Sequence, residues 1–573
     1  MLRRLVSVQL TLDKVMRPIC HSARPIWHTT NKRGILIYKK NIRREGVMLR
    51  VPSLFLATVA AAALAPTTGL AEKPKRGGTL SFAAVAETSG YDCHASQTFA
   101  LLHPVTPQYS LLVRWDATEN SKIVSDLAKS WTIAPDGLTY TFTLHEGVKF
   151  HDGSPLTSAD IKATFERIAN PPEGVISVRK ERFADVAAIE APDPATVVFR
   201  LKAVNASFLA LLASPFNCVY SAAKLKQNPR YPETEVMGSG AFQFVEHVRG
   251  SHWTGKRFDG YFRKDRPYLD GFKTYFVKDT AVVPGLLGGQ FDAEFRGQNP
   301  SARDQLLAKA ADRFIVHEGP WATVMLLIFN TSKKPFDDIR VRQALSLAID
   351  RYSGSTNLAK ISIMKHVGGI MRPGSEWALP DADLEKQIGY SKDIDKSRAE
   401  ARRLLKDAGV EGLKVKLFNR TVAEPYTPTG IFLIDEWRKI GVSTEHAQVE
   451  TKVYFDSLVS GSFDVAIWPL TEPADDPTAQ LYYFISHQAS TMSYARHADR
   501  KVDEFYDQQN RTLDPATRIQ LVQAADRYLL SQAYEVPILW WNRIIVHHKK
   551  IKGWTMSPSH FQGTALVDVW LDE

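Results

Sequence analysis

The segment Asp126–Ile161 reads DLAKSWTIAPDGLTYTFTLHEGVKFHDGSPLTSADI and contains three turn signals at nearly regular spacing. They are Asp136-Gly137, Glu146-Gly147 and Asp152-Gly153, in which the glycine tolerates a positive φ. Between the first two turns, apolar residues alternate with threonines: Leu138, Tyr140, Phe142 and Leu144. Because a period of two is typical of a half-buried strand, the segment predicts a meander of short antiparallel strands.

The same segment then enters a helix. Thr157 and Asp160 have the spacing of a capping box, in which a carboxylate follows a hydroxyl after three residues. A helix is therefore predicted from this cap to about Ile168. His145 and His151 flank turns and lack the spacing of metal ligands, so no metal site is predicted here.

Residues 395–468 predict strands that alternate with helices. The predicted elements follow in chain order: a helix with Ala401, Leu404, Leu405 and Ala408 on one face, a strand over Leu413–Phe418, a helix with Leu433, Trp437 and Ile440 on one face, a strand from Val442, a helix over 451–460, and a strand over Phe463–Trp468. Such alternation predicts the parallel, doubly wound sheet of an α/β protein. Ligands on these sheets bind beyond the carboxyl ends of the strands.

Residues suited to binding a small ligand follow the carboxyl ends of these strands. Arg420 follows the first strand, and Trp468–Pro477 continues from the last strand with three carboxylates and three prolines. Trp540 and Trp541 lie on a later predicted strand, where alternation lets only one of them face a cleft. The candidate ligand-binding residues are Tyr91, Trp321, Arg420, Trp468, Glu472, Asp475, Asp476 and Trp540.

The composition is that of a globular protein, with 44% hydrophobic and 23% charged residues over 573 positions. This length predicts more than one domain. The formal net charge of +10 comes from the N-terminus, because residues 1–50 hold 12 Lys and Arg but 2 acidic residues, which leaves 60 of each sign beyond them. The balanced remainder argues against a nucleic-acid-binding surface.

Residues 48–71 have the layout of a secretory signal peptide. Met48-Leu49-Arg50 forms a positive start, residues 51–64 form an apolar core too short for an ordinary membrane span, and Gly69-Leu70-Ala71 offers small residues for cleavage. We expect export to the periplasm with cleavage after Ala71 and no lipid anchor, since no cysteine lies at the cleavage site. Residues 1–47 are interpreted as translated upstream sequence, with Met48 as the start.

Cysteine usage leaves two possibilities open. Cys20 would be lost with the leader, which leaves Cys93 and Cys218 in the exported chain. In an oxidising compartment these two residues either form a disulfide or remain as two buried thiols, and their spacing does not choose between them.

Several blocks of the chain occur in the order found in the family 5 extracellular solute-binding proteins, the peptide, nickel and oligosaccharide receptors of ABC importers. They are Asp126–Ile161, Tyr261, Arg266–Gly271, Gly288–Asp292 and Pro335–Arg351. The chain resembles this family over about Gly77 to Trp554. The resemblance implies an α/β, two-lobed periplasmic binding protein of class II, of the larger type, with an extra subdomain in lobe one and a ligand cleft between the lobes.

The domain boundaries implied by this resemblance are discontinuous. Lobe one comprises residues 72–107, 235–320 and 545–573, and the extra subdomain comprises 108–234. Lobe two comprises 321–544, so the chain crosses between the lobes twice. Such receptors enclose one ligand between their lobes by hinge closure.

The resemblance also implies a function. The chain would capture a small solute as a monomer and deliver it to a membrane permease that is driven by ATPase subunits. A di- or oligopeptide is the first candidate ligand, an oligosaccharide or an opine-like compound the next, and a nickel chelate the last.

In peptide-binding relatives, a carboxylate in the loop corresponding to 468–477 holds the α-amino group of the substrate, and an arginine early in a nearby helix helps to hold its carboxylate. Here Glu472 and Asp475 do not reproduce the relatives' spacing, and the helix after the 413–418 strand begins without that arginine. Arg420 is the candidate substitute.

Two other classes of protein remain as alternatives. A secreted hydrolase would be expected to show a recognisable catalytic motif, but Gly-x-Ser-x-Gly, His-Glu-x-x-His and Cys-x-x-Cys are absent from the body of the chain. A periplasmic chaperone would need exposed apolar surface. We therefore predict a binding protein rather than an enzyme, without cofactor, metal or nucleic acid.

Overall fold

The computed structural model describes residues 73–116, 118 and 122–573. The predicted upstream extension (1–47) and signal peptide (48–71) lie outside the described residues, so both stay predictions. The strands are β1 (Thr79–Ala84), β2 (Val113–Trp115), β3 (Ile123–Ser125), β4 (Ala128–Ile133), β5 (Thr139–Leu144), β6 (Val186–Asp193), β7 (Thr196–Leu201), β8 (Phe242–Val248), β9 (His252–Arg257), β10 (Gly271–Phe276), β11 (Ala293–Glu294), β12 (Phe314–Phe329), β13 (Met364–His366), β14 (Lys414–Arg420), β15 (Ser443–Val449), β16 (Val465–Thr471), β17 (Glu535–His548), β18 (Ile551–Lys552) and β19 (Trp570–Leu571).

Helices connect and cover these strands. They are α1 (Phe99–Val105), α2 (Ser158–Ala169), α3 (Phe208–Leu212), α4 (Ala222–Gln227), α5 (Val282–Gly288), α6 (Pro300–Ala310), α7 (Ile339–Leu347), α8 (Ser353–Leu358), α9 (Asp381–Leu384), α10 (Ile394–Asp407), α11 (Tyr426–Arg438), α12 (Thr451–Ser460), α13 (Pro477–Leu481), α14 (Arg500–Arg511) and α15 (Pro515–Gln532). Short 3₁₀ turns lie at Cys93–Ala95, Thr106–Gln108, Lys180–Phe183, Tyr231–Glu233 and Asp279–Ala281. None of the helices in the described part of the chain is long and apolar enough to cross a membrane.

The first sheet has the order β11-β1-β10-β9-β8. β1 runs parallel to β10 and β11, whereas β10, β9 and β8 pair antiparallel. Leu80 and Phe82 of β1 point into its core and are at most 2% exposed. The sheet gathers strands from the first two sequence ranges assigned to lobe one, and the exact boundaries of that lobe stay a prediction.

The segment Asp126–Ile161 forms the strands and helix that its pattern predicts. β4 and β5 pair in an antiparallel sheet of order β4-β5-β7-β6. Tyr140, Phe142 and Leu144 are at most 2% exposed, as expected for the apolar face of the predicted strand. The cap of α2 is also confirmed, because the Asp160 carboxylate accepts a 2.7 Å hydrogen bond from the Thr157 amide.

The second large sheet has the order β13-β17-β12-β16-β14-β15. β14 runs parallel to both β15 and β16, which confirms the parallel order predicted for residues 413–468. The sheet as a whole is mixed, since β12 pairs antiparallel with both β16 and β17. The carboxyl ends of β14 and β16 lead to Arg420 and to Glu472, as the alternation of helices and strands requires.

Two long antiparallel strands, β12 and β17, belong to both halves of the molecule. Phe314 and Ile544 pack in a core with Ala83 and Val282 of the first half. Further along the same strands, residues 325–329 and 536–541 enter the core of the second sheet. The pairing shifts register between Pro320 and Val324, so the strands are irregular where one core gives way to the other.

A disulfide joins Cys93 to Cys218, with their Cα atoms 6.1 Å apart. Both residues are at most 1% exposed. Of the two possibilities that the sequence leaves open, the structure has the disulfide.

Candidate ligand-binding site

A cavity of about 410 Å³, here named the main cavity, lies between two parts of the chain that are distant in sequence. Residues 178–185 and 205–214 form one wall, and residues 472–483 form the opposite wall with Tyr506 and Asn510. Ligand pockets in proteins span roughly 300–1,000 Å³. The main cavity therefore has the size of a site for a small molecule.

Glu472 and Arg182 face each other from the two walls. Glu472 follows β16 and is 4% exposed, and Arg182 lies in the 3₁₀ turn Lys180–Phe183. The Glu472 Oε2 and Arg182 Nη1 atoms are 3.6 Å apart. Burial raises the pKa of the Glu472 carboxyl, and the Arg182 charge opposes that rise without cancelling it. The pair thus forms a direct contact of opposite charges between the two walls of the main cavity.

Aromatic side chains supply much of the remaining surface: Trp115, Tyr482, Tyr483 and Tyr506. Burial raises the pKa of Tyr483 far above its usual range, so its hydroxyl stays protonated and can donate a hydrogen bond. The Trp468 ring packs against Tyr483 with centroids 5.4 Å apart and is 6% exposed. Trp468 therefore lies behind the cavity wall and positions Tyr483.

Asp476 also lines the main cavity, but its carboxylate already has partners. Oδ1 accepts from the Ala479 amide at 3.0 Å and so caps α13. Oδ2 accepts from the Ser207 hydroxyl at 2.6 Å, and Arg518 Nη2 donates to the same Ser207 oxygen at 2.6 Å. We name Ser207, Asp476 and Arg518 the cleft latch, because their hydrogen bonds join the two walls.

Asp475 and Trp540 line a separate, much smaller cavity beside the main one. The Asp475 carboxylate is held by Arg372 through contacts of 2.6 to 3.0 Å. Trp540 is 2% exposed and its indole donates to the Gly369 carbonyl at 3.0 Å. The structure therefore brings these two candidates together, but their polar atoms are engaged within the protein.

The other candidates lie outside the lining of both cavities. Arg420 donates to the Tyr426 hydroxyl at 2.7 Å and to Thr451. Trp321 is 1% exposed and its indole donates to His560 at 2.9 Å. The Tyr91 hydroxyl lies 3.1 Å from His247 Nδ1. Of the eight predicted residues, Glu472 and Asp476 line the main cavity.

Sequence reasoning missed several residues of the main cavity, above all Arg182, Ser207 and Tyr483. Arg182 lies within the run Lys180-Glu181-Arg182, which has the pattern of a solvated surface. The adjacent tyrosines Tyr482 and Tyr483 lie shortly after the loop Trp468–Pro477. They were the one sequence signal that could have indicated further residues of the cavity lining.

Metal binding has no support in the described ranges, where no group of three or more His, Cys, Asp or Glu residues could hold an ion. His151 Nε2 instead lies 3.0 Å from the Gly240 carbonyl, and Asp152 accepts from the Ser154 amide in a turn. The main cavity instead combines the Glu472 carboxylate, the Arg182 guanidinium and aromatic side chains.

Known proteins resemble this chain over most of its length. Residues 122–492 match the model of the bacterial extracellular solute-binding proteins, family 5. The dipeptide-binding protein of Escherichia coli K12 is 26% identical over 563 residues, which cover 92% of this chain and 99% of that protein. The glutathione-binding protein GsiB of Escherichia coli O1:K1 is 26% identical over 76% of this chain and 84% of its own length.

Solved structures of similar fold include the binding protein AgaA from Agrobacterium tumefaciens R10 in complex with agropinic acid. It is 25% identical, with a TM-score of 0.72, and the match covers 87% of this chain and 99% of that one. DppA from Helicobacter pylori, in complex with the peptide STSA, has a TM-score of 0.72 at 23% identity over the same shares of the two chains. All of these relatives are binding proteins, and DppA is a periplasmic binding protein associated with an ABC transporter. The chain therefore belongs to the bacterial extracellular solute-binding proteins of family 5, the ligand-capturing receptors of ABC importers.

Proposed function

We propose that this chain captures a short zwitterionic solute, a di- or oligopeptide in the first place, in the main cavity. The ammonium group of the ligand would bind Glu472 and its carboxylate would bind Arg182. The observation that carries the proposal is the pairing of these two charges across the cavity at 3.6 Å. The charge of the buried Glu472 is costly when it loses its partner, and a zwitterion that displaces the contact between Glu472 and Arg182 gives each of them a new partner.

The relatives support a ligand of this class. Two of them are named for a dipeptide and for the tripeptide glutathione, and both kinds of ligand carry an amine and a carboxylate. An opine-like compound is the second candidate, because AgaA holds agropinic acid and is 25% identical to this chain.

The same proposal covers the partners and the location of the protein. A monomer exported by the signal peptide 48–71 would close on its ligand in the periplasm and pass it to a membrane permease. In this role the chain performs no catalysis. The register shift between Pro320 and Val324 in the two shared strands supplies a place where closure can bend the molecule.

Mass spectrometry of ligand released from protein purified without refolding would identify the solute directly. Thermal melting of ligand-free protein with dipeptides, tripeptides, agropinic acid and oligosaccharides would then rank the classes, since a ligand at a hundredfold its Kd adds about 2.7 kcal/mol to the free energy of unfolding. We expect peptides to give the largest shift.

The charge pair is tested by Glu472→Gln and Arg182→Gln. Each variant should weaken binding of a zwitterionic peptide at least about tenfold, as expected when a buried charged hydrogen bond is lost. The exposed pair Glu190 and Arg200 offers matched controls, Glu190→Gln and Arg200→Gln. If both main-cavity variants bind peptides like the wild type, the proposed contacts are wrong.

A further inference from the structure

A second cavity of about 130 Å³, here named the rear chamber, lies behind Trp115. Trp115 lines both the main cavity and the rear chamber. The chamber is otherwise bounded by Arg114, by Tyr261 and by the C-terminal segment 553–569. The two cavities are therefore neighbours that share an aromatic wall.

The rear chamber has hydrogen-bond donors without partners. Among the residues that the structure describes, the side chains of Arg114 and Tyr261 have no hydrogen-bond or ion-pair partner, although both are half-buried. In the wall, Trp115 Nε1 and Thr564 Oγ1 are buried polar atoms that also lack a partner. These two residues are 8% and 6% exposed, and unpaired buried donors of this kind are unusual in folded proteins.

The acidic groups of the chamber, in contrast, are already paired. Asp126 accepts from Arg263 at 2.7 Å and from the Leu111 amide at 2.8 Å. Asp568 accepts from Arg266 at 2.6 Å. With each carboxylate matched to another arginine, the charge of Arg114 remains uncompensated at the chamber.

We infer that the rear chamber binds a carboxylate group, with Arg114 as its charged partner and the Tyr261 hydroxyl as a second donor. A guanidinium presents a planar fork of N–H groups that matches the two oxygens of a carboxylate. The volume admits a group of a few non-hydrogen atoms. The carboxylate could be a free small acid, or it could be an arm of the captured solute that reaches past Trp115, and the second source rests on the proposed function.

The first experiment uses acetate as the probe and the ligand-free full exported chain. The melting temperature is measured in sodium acetate and in sodium chloride at equal ionic strength. We expect acetate to raise it for the wild type and for Arg182→Gln, but not for Arg114→Gln, and Tyr261→Phe should reduce the effect. Arg200→Gln, which removes an exposed arginine of the same subdomain, is the control and should respond like the wild type.

The second experiment compares the dipeptides Ala-Glu and Ala-Gln, which differ by one carboxylate. If the arm of the solute fills the chamber, Arg114→Gln should weaken Ala-Glu about tenfold relative to Ala-Gln, and acetate should compete with Ala-Glu in the wild type. An acetate response that Arg114→Gln abolishes, with both dipeptides unaffected, assigns the chamber to a free acid.

The inference is overturned if Arg114→Gln changes neither the acetate response nor the ratio of the two dipeptide affinities. If neither dipeptide binds the wild type, the peptide assignment of the main cavity fails. The acetate experiment then still tests whether the rear chamber binds a carboxylate. Circular dichroism of each variant checks that it is folded.

Discussion

Glu535 shows how far a single buried residue can depart from its usual chemistry. It begins β17, is 1% exposed, and receives one 3.4 Å hydrogen bond, from the Ala495 amide to Oε1. Its Oε2 atom is buried without a partner among the described residues. Burial raises the pKa of this carboxyl to about 8, so the folded protein holds a proton there at neutral pH.

Glu535→Gln should remove a pH dependence of stability. From the ordinary pKa near 4.5 up to about 8, the folded state keeps a proton that the unfolded state has released, so the free energy of unfolding falls as the pH rises. The slope from this group approaches about 1.4 kcal/mol per pH unit. Urea denaturation at pH 5, 6, 7 and 8 should show that the free energy of unfolding of the variant increases relative to that of the wild type as the pH rises. The exposed Glu411→Gln is the control, and parallel curves for wild type and Glu535→Gln would contradict a protonated Glu535.

At the scale of elements, the disulfide links the segment that precedes α1 to the segment that precedes α4. Cys93 lies in a 3₁₀ turn whose neighbour Asp92 forms a buried ion pair with Arg167 of α2 at 2.6 Å. The Tyr220 hydroxyl, two residues beyond Cys218, donates to the same Asp92 carboxylate at 3.1 Å. The disulfide and the polar network therefore connect the same two segments, residues 92–93 and residues 218–220.

Removal of the disulfide should destabilise the protein by about 2–5 kcal/mol, because the link closes a loop across 125 residues of sequence and restricts the unfolded chain. The double variant Cys93→Ser/Cys218→Ser is compared with the wild type by urea denaturation, each with and without a reductant. The reductant should lower the stability of the wild type alone. Equal stability of oxidised and reduced wild type would argue against the link.

At the scale of the whole molecule, the two walls of the main cavity touch each other directly. Besides the cleft latch, the Ala206 amide donates to the Asn510 carbonyl at 2.7 Å. Arg511 extends the same contact to Asp185 at 3.3 Å. These bonds join the two walls through the protein's own groups, so they favour the closed arrangement, and a ligand that needs closure binds in proportion to the closed population.

Ser207→Ala should open the ligand-free molecule. The hydroxyl accepts from Arg518 and donates to Asp476, so its loss removes the cross-cleft bond of Asp476 and leaves Arg518 with its 3.2 Å bond to the Ala206 carbonyl. We expect a larger radius of gyration in solution scattering and an affinity for ligand reduced by up to about tenfold. Ser110→Ala is the matched control, because that buried hydroxyl donates to the Ser239 carbonyl away from the cleft. Unchanged scattering and affinity would show that the latch does not set the closed population.

The sequence by itself determined the local elements and the class of protein. The meander and capping box of Asp126–Ile161 and the parallel order of β14, β15 and β16 follow from periodicity, turn residues and caps, which act between near neighbours in the chain. The same local reasoning placed Glu472 and Asp476 at a strand end, and both line the main cavity.

Only the tertiary structure decided which charges remain available to a ligand. It pairs Asp475 with Arg372 and places Arg420 against Tyr426, while it brings Arg182 from a distant turn to face Glu472. The physical reason is that the environment of a charged side chain depends on whichever segment folds against it, and no periodicity in the sequence records that partner. The signature segment thus shows the kind of receptor, and the packing of its two walls determines what the cavity can hold.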